Sequence, residues 1–120
     1  MIKEAYCSFE VSKLLKEKGF DEVSYTFYDC NHKIFYREDG IPSWNSCRDD
    51  YAAPTHQMAM AWLREVYNID IIIFHEKLPN DCYWVRVERN LFTEIQQKPK
   101  YKSYEEAVEA ALKYILENLI

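Results

Sequence analysis

The stretch from Pro54 to Phe74, PTHQMAMAWLREVYNIDIIIF, constrains the fold more than any other, because helical and then strand periodicity follow one another in it without a spacer. Pro54 suits the first turn of a helix, where its missing N–H and fixed φ cost nothing, and Thr55 is placed to cap that turn with its hydroxyl. Met58, Ala59, Trp62, Leu63 and Val66 recur at three- and four-residue spacing, which predicts one buried stripe with Gln57, Arg64 and Glu65 outside it. Asn68 tolerates the left-handed conformation that ends a helix, and Ile69 can supply the apolar contact that accompanies such a stop. A strand follows at once. Ile69, Ile71 and Ile73 alternate with Ile72 and Phe74, so the run is apolar on both faces and predicts a central strand, or one covered on both sides.

The rest of the chain can be placed against this element. Ser8 caps a helix running to Lys18 with Val11, Leu14 and Leu15 on its buried stripe, and Gly19 followed by Phe20 repeats the stop seen at Asn68 and Ile69. Val23–Tyr28 and Lys33–Tyr36 lean towards β structure and are separated by the turn residues Asp29 and Asn31, which predicts a hairpin. Between Arg37 and Ala53 the apolar periodicity vanishes, and the segment reads as an irregular connector tied to the body by Ile41, Trp44 and Tyr51. Cys82–Arg89 alternates again, with Tyr83, Val85 and Val87 on one face, and a short edge strand is expected around Leu91–Ile95. Ser103 and Glu106 form a capping-box pattern ahead of Ala107, Val108, Ala111, Leu112, Ile115, Leu116 and Leu119 at helical spacing.

The order is therefore αββαββα, one α+β domain over residues 1–120: an antiparallel sheet of about four strands with three helices packed mainly on one face. The helix-and-two-strands unit occurs twice, ending its helix at Gly19 and again at Asn68, with little side-chain identity between the copies. Tyr25, Phe27, Tyr36 and Trp84 leave enough apolar surface on the hairpins for the open sheet face to join two copies as a homodimer.

Composition narrows the classes. Hydrophobic residues at 48% with 16% aromatics exclude a disordered chain, and two glycines and four prolines leave little linker-like sequence. No apolar run is long enough for a membrane span, and Lys3 and Glu4 are not followed by the apolar core of a signal peptide, so a cytoplasmic protein with no membrane partner is expected. Cys7, Cys30, Cys47 and Cys82 lie far apart and are read as free thiols of a reducing compartment. A net charge of −5 argues against nucleic acid as a partner, and the small cluster of Lys98, Lys100 and Lys102 reads as a solvated loop.

Catalytic patterns are missing from the sequence. Cys30 with His32 is the one close pair of metal-ligand types, and Cys47, His56, His75 or Cys82 would have to join it through the fold. Asp49–Asp50 and Glu105–Glu106 are adjacent, which sends their side chains to different sides of the backbone, and the isolated Gly19 and Gly40 build no phosphate loop. No catalytic residue and no cofactor is expected. Trp62 and Met58 are assigned to the core rather than to a ligand pocket. Tyr36, Trp44 and Tyr51, in or near the irregular connector, are the candidate partner contacts, since aromatic side chains dominate interface hot spots.

The segments FEVSKLLKEKGF, APTHQMAMAWLREVYNIDI and YKSYEEAVEAALKYILENLI, in that order, resemble a family of small proteins of no assigned activity encoded in gut Bacteroidales genomes and their prophage or mobile-element regions. The resemblance implies a phage or mobile-element accessory protein of the bacterial cytoplasm acting through protein contacts; with the missing catalytic motifs and the aromatic-rich sheet, the reading is a non-enzymatic protein-interaction domain that contacts itself or a host or phage protein. Two readings stand beside it: a metal-dependent enzyme or metal-stabilised domain using Cys30 and His32, and a nucleic-acid-binding protein or acidic nucleic-acid mimic.

Overall fold

Each helix is started by a hydroxyl. In a computed structural model, which describes residues 3–41, 49–90, 92–96 and 100–120, Ser8 Oγ accepts from the Val11 amide at 3.2 Å and Thr55 Oγ1 from the Met58 amide at 3.1 Å. Ser103 Oγ likewise accepts from the Glu106 amide at 3.1 Å. These caps open α1 (Phe9–Glu17), α2 (His56–Tyr67) and α3 (Tyr104–Asn118). At α3 the Glu106 carboxylate reaches back to the Lys102 amide, at 3.0 Å, so the capping box is displaced by one residue from its usual pairing with the cap's own amide. The two expected stops are both present: Gly19 has φ 89° and Asn68 has φ 56°, and the clamps Phe20 and Ile69 that follow them are buried.

The class is α+β, and the described residues form six strands in two sheets rather than about four in one. The first sheet joins β1 (Ser24–Tyr28), β2 (Ile34–Ile41) and β3 (Tyr51–Ala52) in the order β2-β1-β3, and the second is a meander of β4 (Ile69–Glu76), β5 (Cys82–Arg89) and β6 (Phe92–Gln96). All pairings are antiparallel. The expected αββαββα order thus gains β3 after the first hairpin, and β6 is the short edge strand expected around Leu91–Ile95. β3 is two residues long and lies in the segment read as an irregular connector, where so short a strand leaves no periodicity to read. Both helix-led units carry three strands, yet the middle strand is β1 in one and β5 in the other, so the internal echo extends to element content and not to strand order. β4 is an edge strand. On its outer face Ile72 and Phe74 are half-buried, and Phe74 stacks on Trp84 at 4.4 Å under the Arg86 guanidinium.

β1 and β2 are not in continuous register. Thr26 lies opposite Tyr36 and Ser24 opposite Ile41, so β2 advances five residues while β1 advances two. At this irregularity the Ser24 hydroxyl, buried, donates to the Thr26 carbonyl at 2.6 Å and accepts from the Thr26 amide at 3.3 Å.

One core serves both sheets. α3 buries Ala107, Val108, Ala111, Leu112, Ile115 and Leu116 and packs against α1, α2, β4 and β5. α1 contributes Val11 and Leu15, and β5 contributes Val85 and Val87. The sequence stripe of α2 is rotated in the fold: His56, Ala59, Met60, Trp62 and Leu63 are buried, while Met58 is 42% and Val66 56% exposed. The helix has apolar residues on more than one side, and the one that completes the true inward stripe, His56, counts as polar. Trp62 is a core residue as expected, edge-on to Phe20 at 5.3 Å, and Met58 is not.

Replacing Leu63 by Ala is expected to lower unfolding stability by about 2–5 kcal/mol, the range for a truncated buried leucine. Val66→Ala should stay within about 0.5 kcal/mol, and urea denaturation of the two variants separates this packing from the stripe read in the sequence.

Candidate functional site

The segment before α1 runs beside the segment before α2. Tyr6 bridges Thr55, the Cys7 amide donates to the Pro54 carbonyl at 2.9 Å, and the His56 amide donates to the Ala5 carbonyl at 2.9 Å. This short pairing sets Cys7, one residue before the α1 cap, next to His56, the first residue of α2. α3 then brings Glu109 to both. His56 Nε2 and Glu109 Oε2 are 2.8 Å apart, and the Ser8 amide donates to both carboxylate oxygens at 3.2 and 3.3 Å. The carboxylate therefore sits on the N-terminus of α1, where the helix dipole favours negative charge. One donor atom from each of Cys7, His56 and Glu109 lies within 4.8 Å of the other two. Among the described residues this is the one group of metal-ligating side chains that converges so closely.

Cys7 is 0% and His56 4% exposed, whereas Glu109 keeps partial contact with solvent. Burial alone would raise the Glu109 carboxyl, but hydrogen bonds from His56 and Ser8 and the charge of His56 outweigh it and hold it below the usual carboxylate range. An ionised carboxylate can only accept, so Nε2 carries the proton of this contact. The other ring nitrogen, His56 Nδ1, is buried with no hydrogen-bond partner among the described residues, a situation that costs about 1–3 kcal/mol when nothing compensates it. Burial pushes the Cys7 thiol far up, and the Glu109 charge adds to the shift. The Tyr28 hydroxyl, which donates to the Cys7 carbonyl at 2.8 Å, is raised first by burial and then by the charges of Glu109 and Cys7.

By residue type the cluster matches a thiol nucleophile, its base and the carboxylate that orients the base. Access and electrostatics oppose that chemistry, because a sealed, neutral thiol is a poor nucleophile. What the arrangement offers is a soft sulfur, an imidazole and a carboxylate on three separate elements. A groove lined by Ser8, His56, Ser103, Glu105, Glu106 and Glu109 opens over the last two donors.

Cys30 and His32, the pair favoured by sequence spacing, occupy the β1–β2 turn. Cys30 is exposed, and His32, with φ 62°, stacks its ring on Phe9 at 3.6 Å. Among the described residues no further ligand joins them. His75 contacts Asp81 at 2.6 Å, and Cys82 pairs across from Glu76. Cys47 and Trp44 lie outside the described residues. Tyr51 is half-buried on β3, edge-on to Phe9 at 5.1 Å and beneath the Lys16 ammonium at 4.6 Å. Tyr36 is 63% exposed on β2, beside Tyr25. Sequence spacing named His56 only as a remote associate of Cys30 and His32, and missed Cys7 and Glu109. The one available signal was the coincidence of Cys7 and His56 at the starts of two echoing helices.

A second feature is a groove at the start of α2 and along β1. Tyr6, Val23, Tyr25, Tyr36 and Met58, all exposed large apolar side chains, line it. Its volume of about 240 Å³ is smaller than the ~300–1,000 Å³ of small-molecule sites. Comparison with family models, curated proteins and solved structures finds no match to the chain.

Two outcomes follow from the cluster. In the native protein iodoacetamide should label exposed Cys30 readily and Cys7 only on unfolding, as read by peptide mass spectrometry. Because the Glu109 carboxyl is held below its usual value, the stability it contributes is present above the unfolded pKa, near 4.5, and is lost as pH falls through the folded value. The stability gap between the protein and its Glu109→Gln variant should therefore close on acidification below that point, measured by thermal melts across pH.

Proposed function

We propose that the protein is a non-enzymatic protein-interaction domain, of the accessory type that its resemblance to phage and mobile-element proteins implies, and that it meets its partner at the groove between β1, β2 and the start of α2. The observation that carries this reading is the gathering of Tyr25, Tyr36, Tyr6, Val23 and Met58, five exposed apolar side chains, around one shallow concavity. Scattered exposed hydrophobics need no explanation, but a contiguous group of them marks a contact surface. Two tyrosines 6.3 Å apart supply rigid contact area and hydroxyls that tolerate water when free. β2 stands at the edge of its sheet, with Ile34 and Phe35 also exposed, so a partner segment lying in the groove can add backbone hydrogen bonds to apolar contact. The partner is another protein of the bacterial host or phage, or a second copy of this chain in a homodimer.

The test is a pull-down from host lysate beside light scattering of the purified chain, comparing the protein with its Tyr25→Ser/Tyr36→Ser variant. The double substitution is expected to abolish the specific capture, or to convert a dimer to a monomer, with the melting temperature unchanged. A strict monomer that captures nothing, or captures the same proteins with and without the two tyrosines, would overturn the reading.

A further inference from the structure

We infer that Cys7, His56 and Glu109 form a binding site for a divalent transition metal ion, zinc above all. The inference is independent of the protein-contact reading. A tetrahedral zinc ion with bonds of about 2.0–2.3 Å needs donors roughly 3.5 Å apart, and the three donor atoms here all lie within 4.8 Å of one another, so small side-chain movements bring them to one centre. They come from three elements, the lead-in to α1, the first turn of α2 and the second turn of α3, which the packing of α1, α2 and α3 already holds together.

Four observations favour an ion over a metal-free clasp. The donor set of thiolate sulfur, imidazole nitrogen and carboxylate oxygen suits zinc and excludes magnesium and calcium, which take oxygen alone. The charges balance: a thiolate and a carboxylate brought together out of water repel, and a dication between them with neutral imidazole leaves the buried centre uncharged. The Cys7 proton leaves to solvent as the metal–sulfur bond forms. His56, 4% exposed, already turns Nε2 to Glu109 at 2.8 Å, so an ion taking the place of the shared proton meets imidazole nitrogen and carboxylate oxygen side by side. The groove over His56 and Glu109 is lined in addition by Glu105 and Glu106, so the path to the site carries negative charge that draws cations. Three protein donors leave a fourth position for water from that groove.

The full chain is dialysed against zinc, freed of excess and measured by elemental analysis, and the cobalt(II) form is examined for thiolate-to-cobalt charge-transfer absorption. Stoichiometric zinc, the charge-transfer band and a melting temperature lowered by chelator are expected. A variant with Cys30→Ser, Cys47→Ser and Cys82→Ser should keep all three properties, which assigns the sulfur to Cys7 even if Cys7→Ser itself fails to fold. His56→Gln and Glu109→Gln should each weaken zinc binding by at least about tenfold. Absence of stoichiometric metal with a melt unchanged by chelator overturns the site, and so does loss of the band in the triple serine variant, which would place the sulfur elsewhere, as in a site built on Cys30.

Discussion

Among the described residues the two sheets share no hydrogen-bonded strand pair, and the burial of one stripe of α3 packs their helices into a common core. Ala107, Val108, Ala111, Leu112, Ile115 and Leu116 pack against α1 on one side and against α2, β4 and β5 on the other. Each helix-led unit has an apolar face that its own three strands cannot cover, and α3 supplies the missing surface to both. The same helix delivers Glu109 to the point where the starts of α1 and α2 meet. The last element of the fold is thus responsible both for the common core and for the third side chain of the buried polar cluster. Its C-terminal end is also held from both units, because the Lys18 ammonium donates to the Ile120 carbonyl at 2.8 Å and the Arg89 guanidinium to the Leu119 carbonyl at 2.9 Å.

Local signals were legible because they act over three or four residues. The hydroxyl caps at Ser8, Thr55 and Ser103, the left-handed stops at Gly19 and Asn68, and the alternation of Tyr83, Val85 and Val87 all depend on neighbours in the chain. Failures occurred where a tertiary partner decides the outcome. His56 is buried on the inward face of α2 with Glu109 as its hydrogen-bond partner, and nothing near His56 in sequence announces Glu109 on a distant helix. β3 is a strand only because Phe27 and Tyr28 of β1 pair with it.

The candidate site was illegible for the same reason in stronger form. Its three side chains belong to three segments far apart in the chain, with none of the paired spacing that betrays a zinc finger. Cys30 and His32 are close in sequence, and the fold uses His32 as a stacking partner for Phe9. Among the aromatic residues singled out from the sequence, Tyr51 lies against Phe9 of α1 on one side of β1, and Tyr36 is exposed on the strand at the other side.

The irregular register between β1 and β2 bears on how this molecule can assemble. Beyond Tyr36 the outer strand departs from β1 and rejoins it only at Ile41, so its free edge is not an unbroken row of evenly spaced donors and acceptors. A flat continuous edge is a template for open-ended stacking of copies, and a discontinuous one offers pairing over a few residues only. The exposed Ile34, Phe35 and Tyr36 of β2 thus sit beside a short regular stretch of edge that is interrupted before Ile41.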